Sequence, residues 1–157
     1  MKKFLFAAAM LLASVAKAED LVTHNSVLIQ ADAEKIWPLI VDPSSWKAGA
    51  QLIALDAAGM KFKAVMPDAP DTALYHVYNV EFVRGKRRTM RLASLDNALM
   101  GYATWHLKTV NNATLVTYDV YSYLAIPDEM KATYHEENYK RFQAELEKLK
   151  GLIENRK

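Results

Sequence analysis

Residues 127–157, PDEMKATYHEENYKRFQAELEKLKGLIENRK, decide the fold. Apolar and aromatic side chains recur there at Tyr139, Phe142, Leu146, Leu149 and Ile153, a spacing of three and four that draws one stripe along a helix. Glu, Lys and Arg fill the positions between. At about 1.5 Å per residue a helix of this length spans roughly 40 Å, so its stripe needs a broad apolar surface opposite. The rest of the chain offers a sheet for that purpose.

From residue 51 to residue 126 the hydrophobic period changes from three or four to two. Ala57-Ala58-Gly59, Arg84-Gly85-Lys86, Asp96-Asn97 and Asn111-Asn112 punctuate the region, and a loop at 67–71 precedes the long run 73–83. The turns are only a few residues each, so consecutive strands are expected to pair antiparallel in a six-strand meander. Upstream, residues 21–29 read as a further strand. Asp32 then serves as an N-cap, 33–40 form a short helix that Pro38 shortens or kinks, and Asp42-Pro43-Ser44-Ser45 starts a second helical turn around Trp46. The expected fold is α+β: strand, two short helices, six strands, long helix. A twisted antiparallel sheet of this size curls, and the terminal helix covers its concave face.

Residues 1–18 are set aside from this fold. Lys2 and Lys3 precede an apolar run over 4–16, and Ala16-Lys17-Ala18 has the small-x-small form of a cleavage site, so the segment reads as a secretory signal peptide cut after Ala18. The run is too short for a membrane span, which needs about 20 apolar residues. Residues 19–157 then make one domain with a single core. Removing Lys2, Lys3 and Lys17 lowers the basic count from 20 to 17 against 18 acids, a net charge of −1, which gives no whole-molecule attraction to nucleic acid or an anionic membrane. An exported chain without cysteine draws its stability from its core rather than from disulfides. The expectation is a periplasmic monomer.

Two stretches carry a family likeness. VLIQADAEKIWPLIVDPSSW, residues 27–46, resembles the opening of START-like, polyketide-cyclase-like (SRPBCC) proteins, in which a strand leads to a helix with a Trp, then Asp-Pro and a second Trp. Trp105-His106-Leu107, the turn at Asn111-Asn112, and residues 114–118 are similar to the last two strands of that superfamily. The resemblance implies a helix-grip fold, a curved sheet gripping the C-terminal helix around a deep cavity, and members that bind lipids, sterols, quinones, hormones or polyketides, some of them as cyclases or dehydratases. Asn111-Asn112-Ala113 replaces the usual Gly of the last turn, a small departure because Asn tolerates the left-handed conformation.

Alternation assigns the expected lining. On the run 73–83 the set Leu74, His76, Tyr78, Val80 and Phe82 is more apolar than the other and has no carboxylate, so it is placed inward. By the same rule Phe62, Ala64 and Met66 face in, with Met90, Leu92 and Ser94, then Ala103, Trp105 and Leu107, then Val116, Tyr118, Val120 and Ser122. Extending the helical stripe backwards from Tyr139 reaches His135, with Asn138 beside it and Phe142 ahead. Hydrophobic burial would supply affinity, with His76, Tyr78, Tyr118, His135 and Asn138 orienting a ligand.

The functional expectation is binding of a hydrophobic small molecule, a lipid, isoprenoid or polyketide-like compound, between sheet and helix. An alternative is a cyclase or dehydratase in which His76 or His135 moves a proton while Tyr78 or Tyr118 polarises a carbonyl. A second alternative is an envelope-interaction protein with a filled core. No catalytic set, metal site or cofactor is expected: the four histidines are scattered, cysteine is absent, and there is no glycine-rich phosphate loop. Arg84, Lys86, Arg87, Arg88 and Arg91 form the densest basic run, read as a solvated turn and outer strand face, or as a contact for anionic headgroups at a membrane.

Overall fold

Short turns dictate the topology of the sheet. The computed structural model describes residues 21–47, 50–56, 59–66, 69–94, 99–123 and 127–155; the signal-peptide expectation for 1–18, the turn at Asp96-Asn97 and the first residues of the loop at 67–71 lie outside them. Strand β1 (Leu21–Ile29) leads to α1 (Ala33–Val41) and a 3-10 turn (Pro43–Ser45). Strands β2 (Ala50–Asp56), β3 (Gly59–Met66), β4 (Ala69–Val83), β5 (Arg87–Ala93), β6 (Leu99–Val110) and β7 (Ala113–Ser122) then run as a meander, and α2 (Asp128–Glu154) closes the chain. All strands pair antiparallel in the order β1-β7-β6-β5-β4-β3-β2. This is the helix-grip arrangement. Residues 69–71, expected in a loop, belong to β4.

Two backbone positions hold the meander in shape. Asn111 takes the left-handed conformation (φ 54°) in the β6–β7 turn, as the Asn-Asn pair predicts. Gly101 has φ 155°, and a Cβ there would lie 1.9 Å from the carbonyl oxygen of Tyr121. Next to it the β5–β6 register shifts between Leu92 and Ala93, so glycine is what permits this close crossing.

The short helices seal one end of the core. Ile36, Trp37 and Ile40 are the buried face of α1, and Trp37 meets Phe82 edge-on at 5.2 Å. Asp42 caps the 3-10 turn by accepting from the Ser44 backbone N–H at 3.0 Å, whereas Asp32 caps α1 by position without a side-chain bond. Trp46 is 2 % exposed, donates its indole N–H to the Leu39 carbonyl at 2.7 Å, and meets Trp105 edge-on at 6.2 Å.

Phe142, Leu146 and Leu149 are buried as the stripe predicts, and Ile153 packs against the same core. Tyr139 is not: it is 44 % exposed. Behind Phe142 the inward line runs in steps of four through Asn138 to Tyr134, because i and i+4 side chains stack on one helical face. Buried Asn25 of β1 fixes this phase by donating to the Tyr139 carbonyl at 3.0 Å and to Gln143 Oε1 at 3.2 Å. At the other end of the pair, the Gln30 backbone N–H donates to Glu154 Oε1 at 2.8 Å. Polar contacts along β1 therefore set where α2 lies, and the apolar stripe fills in beneath.

Candidate functional site

Between α2 and the concave face of the sheet lies a cavity of about 150 Å³. An apolar cavity of about this size admits a benzene ring. Its aromatic wall comes from three elements. Trp105 of β6 and Tyr118 of β7, cross-strand partners, stack at 4.1 Å and 24°, and Phe142 of α2 meets Tyr118 edge-on at 5.3 Å. Val120, Met90, Leu92 and Val77 complete the sheet side, and Ile40 and Pro43 close the end beneath α1. Met100, Ser122 and Tyr134 are half-buried at another edge of the lining.

The structure brings most of the described candidates to this wall: Met90, Leu92, Trp105, Tyr118, Val120, Asn138 and Phe142. Four others are elsewhere. Leu107 is buried in the core but outside the lining. Tyr139 is turned to solvent, as described above. His135 is exposed and engages the Val22 carbonyl at 2.7 Å, tying α2 to β1 rather than facing the cavity. Tyr78 is half-buried away from the lining, with the Arg91 guanidinium 5.9 Å from its ring centre. The side chains of Phe62, Met66 and His76 lie outside the described residues.

A β-bulge explains the correction at Tyr78. The β4–β5 register shifts between Asn79 and Glu81. Before the shift, Val77 lines the cavity and Asn79 reaches Arg88; after it, Phe82 meets Trp37 of α1 while Glu81 pairs with Arg87 at 3.0 Å. The extra residue, Val80, is 61 % exposed, contrary to its predicted inward place. Inserting one residue exchanges the two faces of a strand, so a single alternation cannot hold from end to end.

The larger correction concerns the basic run. Arg88 is not on an outer solvated face: it is 1 % exposed and forms part of the cavity wall. Its Nε donates to Asn79 Oδ1 at 2.8 Å, and its Nη1 donates to the Ile40 carbonyl at 2.6 Å and the Val41 carbonyl at 3.2 Å. These acceptors are all neutral. Burial pushes the guanidinium down to about 10, with neighbouring Tyr118 acting in the opposite direction, so Arg88 is still a cation at neutral pH. Of the remaining run, Arg84 reaches Glu34 at 3.2 Å and Arg87 reaches Glu81, both at the exposed end of the β4–β5 hairpin. The five residues thus do not make one surface patch.

Two more cations join Arg88 in the lining. Lys47, following the 3-10 turn, sits 5.5 Å from the Tyr118 ring centre and 5.8 Å from that of Phe142, and pairs with Glu145 at 2.9 Å. Exposed Arg141 donates to Asn138 Oδ1 at 2.6 Å and lies 4.7 Å from the Phe142 ring centre. Among the described residues the lining contains no Asp or Glu. Sequence reasoning missed all three cations, along with Tyr134. For Arg88 the signal was present, since it shares the alternation of Met90 and Leu92.

The described residues contain no group of three or more His, Cys, Asp or Glu suited to a metal ion. His24 and His106 approach Asp119, at 2.5 and 3.9 Å, on the sheet face opposite Tyr118 and Val120. His135 and Tyr78 lie outside the lining, Tyr118 lies within it, and the His76 side chain is outside the described residues.

An antiparallel sheet closed by a C-terminal helix over an aromatic cavity is a helix-grip architecture. Comparison with solved structures agrees at the level of fold. The chain is similar to the Aha1 dimer of Colwellia psychrerythraea (TM-score 0.66, 16 % identity, 85 % of this chain and 96 % of that one). It is similar to CalU16 of Micromonospora echinospora (TM-score 0.59, 11 % identity, 86 % and 83 %) and to DynU16, a protein of the dynemicin biosynthetic locus (TM-score 0.64, 16 % identity). The DynU16 match covers 87 % of this chain and 48 % of DynU16. No protein-family profile matches the chain, and no curated protein does.

Proposed function

We propose that this protein binds a hydrophobic small molecule in the cavity between the sheet and α2. The observation that carries the reading is the cavity itself: about 150 Å³ bounded by Trp105, Tyr118, Val120 and Phe142 in a core whose neighbouring residues are fully buried. A packed interior does not retain such space without cost, because side chains around a void lose dispersion contacts on one side. Aromatic and aliphatic walls with a few polar groups are the composition of ligand pockets. The ligand class expected from the sequence is a lipid, isoprenoid or polyketide-like compound, and the fold neighbour DynU16, from the dynemicin biosynthetic locus, is in keeping with a compound of biosynthetic origin.

The test is native mass spectrometry of the protein purified without detergent, followed by extraction of whatever is bound. An apolar molecule at near-unit stoichiometry is the expected result. An apo mass, together with no thermal shift across a panel of lipids, sterols and aromatic compounds, would overturn the reading. Export is part of the same proposal and rests on the form of residues 1–18. Cell fractionation tests it: the protein is expected in the periplasm, shortened by the segment ending at Ala18.

A further inference from the structure

The cavity described above is apolar in shape but not in charge. Its cations are graded by depth: Arg141 is exposed, Lys47 is half-buried, and Arg88 is 1 % exposed within the wall. No described lining residue carries a negative charge, and Glu145, which pairs with Lys47, is not in the lining. Three cations beside an aromatic wall, with no acid among the described lining residues, favour a ligand that carries negative charge as well as apolar surface. We infer that the ligand is an amphipathic anion whose apolar ring or chain lies against Trp105, Tyr118 and Phe142 and whose carboxylate is read by Arg88. The inference rests on the binding reading above and narrows it to one chemical class.

The geometry supplies the parts of such a site. Asn79 and the carbonyls of Ile40 and Val41 hold the guanidinium by three hydrogen bonds, which fixes its plane before a ligand arrives. Carboxylate and guanidinium form short charge-assisted hydrogen bonds that strengthen out of water, and Arg88 is only 1 % exposed. Arg141 and Lys47 belong to the same lining and are more exposed than Arg88, so their positive charge adds to the attraction an approaching anion feels. One element of the wall competes with this role: by bonding two carbonyls at the end of α1, Arg88 also braces the fold. The test must therefore separate recognition of charge from support of structure.

Matched probes do so. 3-Phenylpropanoate and 3-phenylpropanol differ in the head group and share the ring, and decanoate and decanol do the same for a chain. Calorimetric titration of the wild-type protein is expected to show the acid of at least one pair binding tenfold or more tighter than its alcohol. In Arg88→Gln that preference falls below twofold while the alcohol still binds, and Arg88→Lys restores part of it. Loss of stability alone would weaken acid and alcohol together and leave their ratio unchanged. If Arg88→Gln does not fold, the wild-type ratio and Arg88→Lys still decide. Equal affinity for acid and alcohol in both pairs overturns the anion proposal and leaves the apolar cavity standing. Binding of no probe, with an apo mass in the native spectrum, overturns the cavity reading and this inference with it.

Discussion

Val120→Phe separates a cavity from an ordinary core. Val120 is 3 % exposed in the middle of β7 and borders the open space beside Tyr118. The substitution enlarges the side chain by about 50 Å³, a third of the void, and at about 24 cal/mol per Å³ of cavity removed it gains about 1.2 kcal/mol. For a domain of this size that raises Tm by about 3–6 °C. The same change leaves about 100 Å³, too little for a ring, so affinity for 3-phenylpropanol should fall at least tenfold, about 1.4 kcal/mol. A filled core responds in the opposite way, because overpacking costs about 1–3 kcal/mol. Urea unfolding and calorimetric titration of the same variant provide both readouts. Destabilisation by 1 kcal/mol or more, or stabilisation with unchanged affinity, would refute the reasoning.

Three further outcomes follow from named contacts. Trp105→Ala and Phe142→Ala should each destabilise the fold by about 3–5 kcal/mol and weaken probe binding, and unchanged affinity in both folded variants would remove them from the wall. Gly101→Ala should lose about 3 kcal/mol or more in urea unfolding, since a Cβ meets the Tyr121 carbonyl oxygen; a loss under 0.5 kcal/mol would show that the strands part easily there. Alkaline pH should act through Arg88. Its folded-state value lies near 10, below the ordinary arginine range, so the penalty of its buried charge is fully present below pH 10 and lifts as pH rises from 10 toward that range. Relative to Arg88→Gln, wild-type stability should rise over that interval by up to roughly 1.4 kcal/mol per pH unit, while binding of 3-phenylpropanoate declines; a flat difference between the two proteins would place the guanidinium in contact with water.

The architecture was legible because it depends on period and punctuation. The β1 bounds and the β6–β7 turn at Asn111-Asn112 agree with the sequence reading, since both rest on local chemistry. The errors have separate physical causes. Tyr78 was assigned to the wrong face because a bulge at Val80 reverses the alternation, and an apolar residue there gives no local sign of it. His135 and Tyr139 were assigned inward by hydrophobicity, whereas α2 is phased by Asn25 on β1, more than a hundred residues away in sequence. Arg88 was grouped with its basic neighbours by composition. Its parity with Met90 and Leu92 pointed inward, but a charge on a core-facing position reads as an error until a cavity gives it a purpose.

That purpose links the two least stable features of the interior. A domain selected for stability alone would fill 150 Å³ beside Val120 and would not place a guanidinium in that wall at a cost in desolvation. Both departures occur in the same wall, one of space and one of charge, and both suit a single event: entry of a molecule with an apolar body and an anionic head. Ligand binding should then stabilise this fold more than apolar contact or charge attraction alone would suggest, because the occupant restores dispersion contacts and adds charge-assisted hydrogen bonds together. For the matched probes, acid and ring should act cooperatively. Acetate, which carries the head without the body, should leave Tm unchanged at concentrations where 3-phenylpropanoate raises it. Equal shifts from acetate and 3-phenylpropanoate would mean that the cations act independently of the cavity.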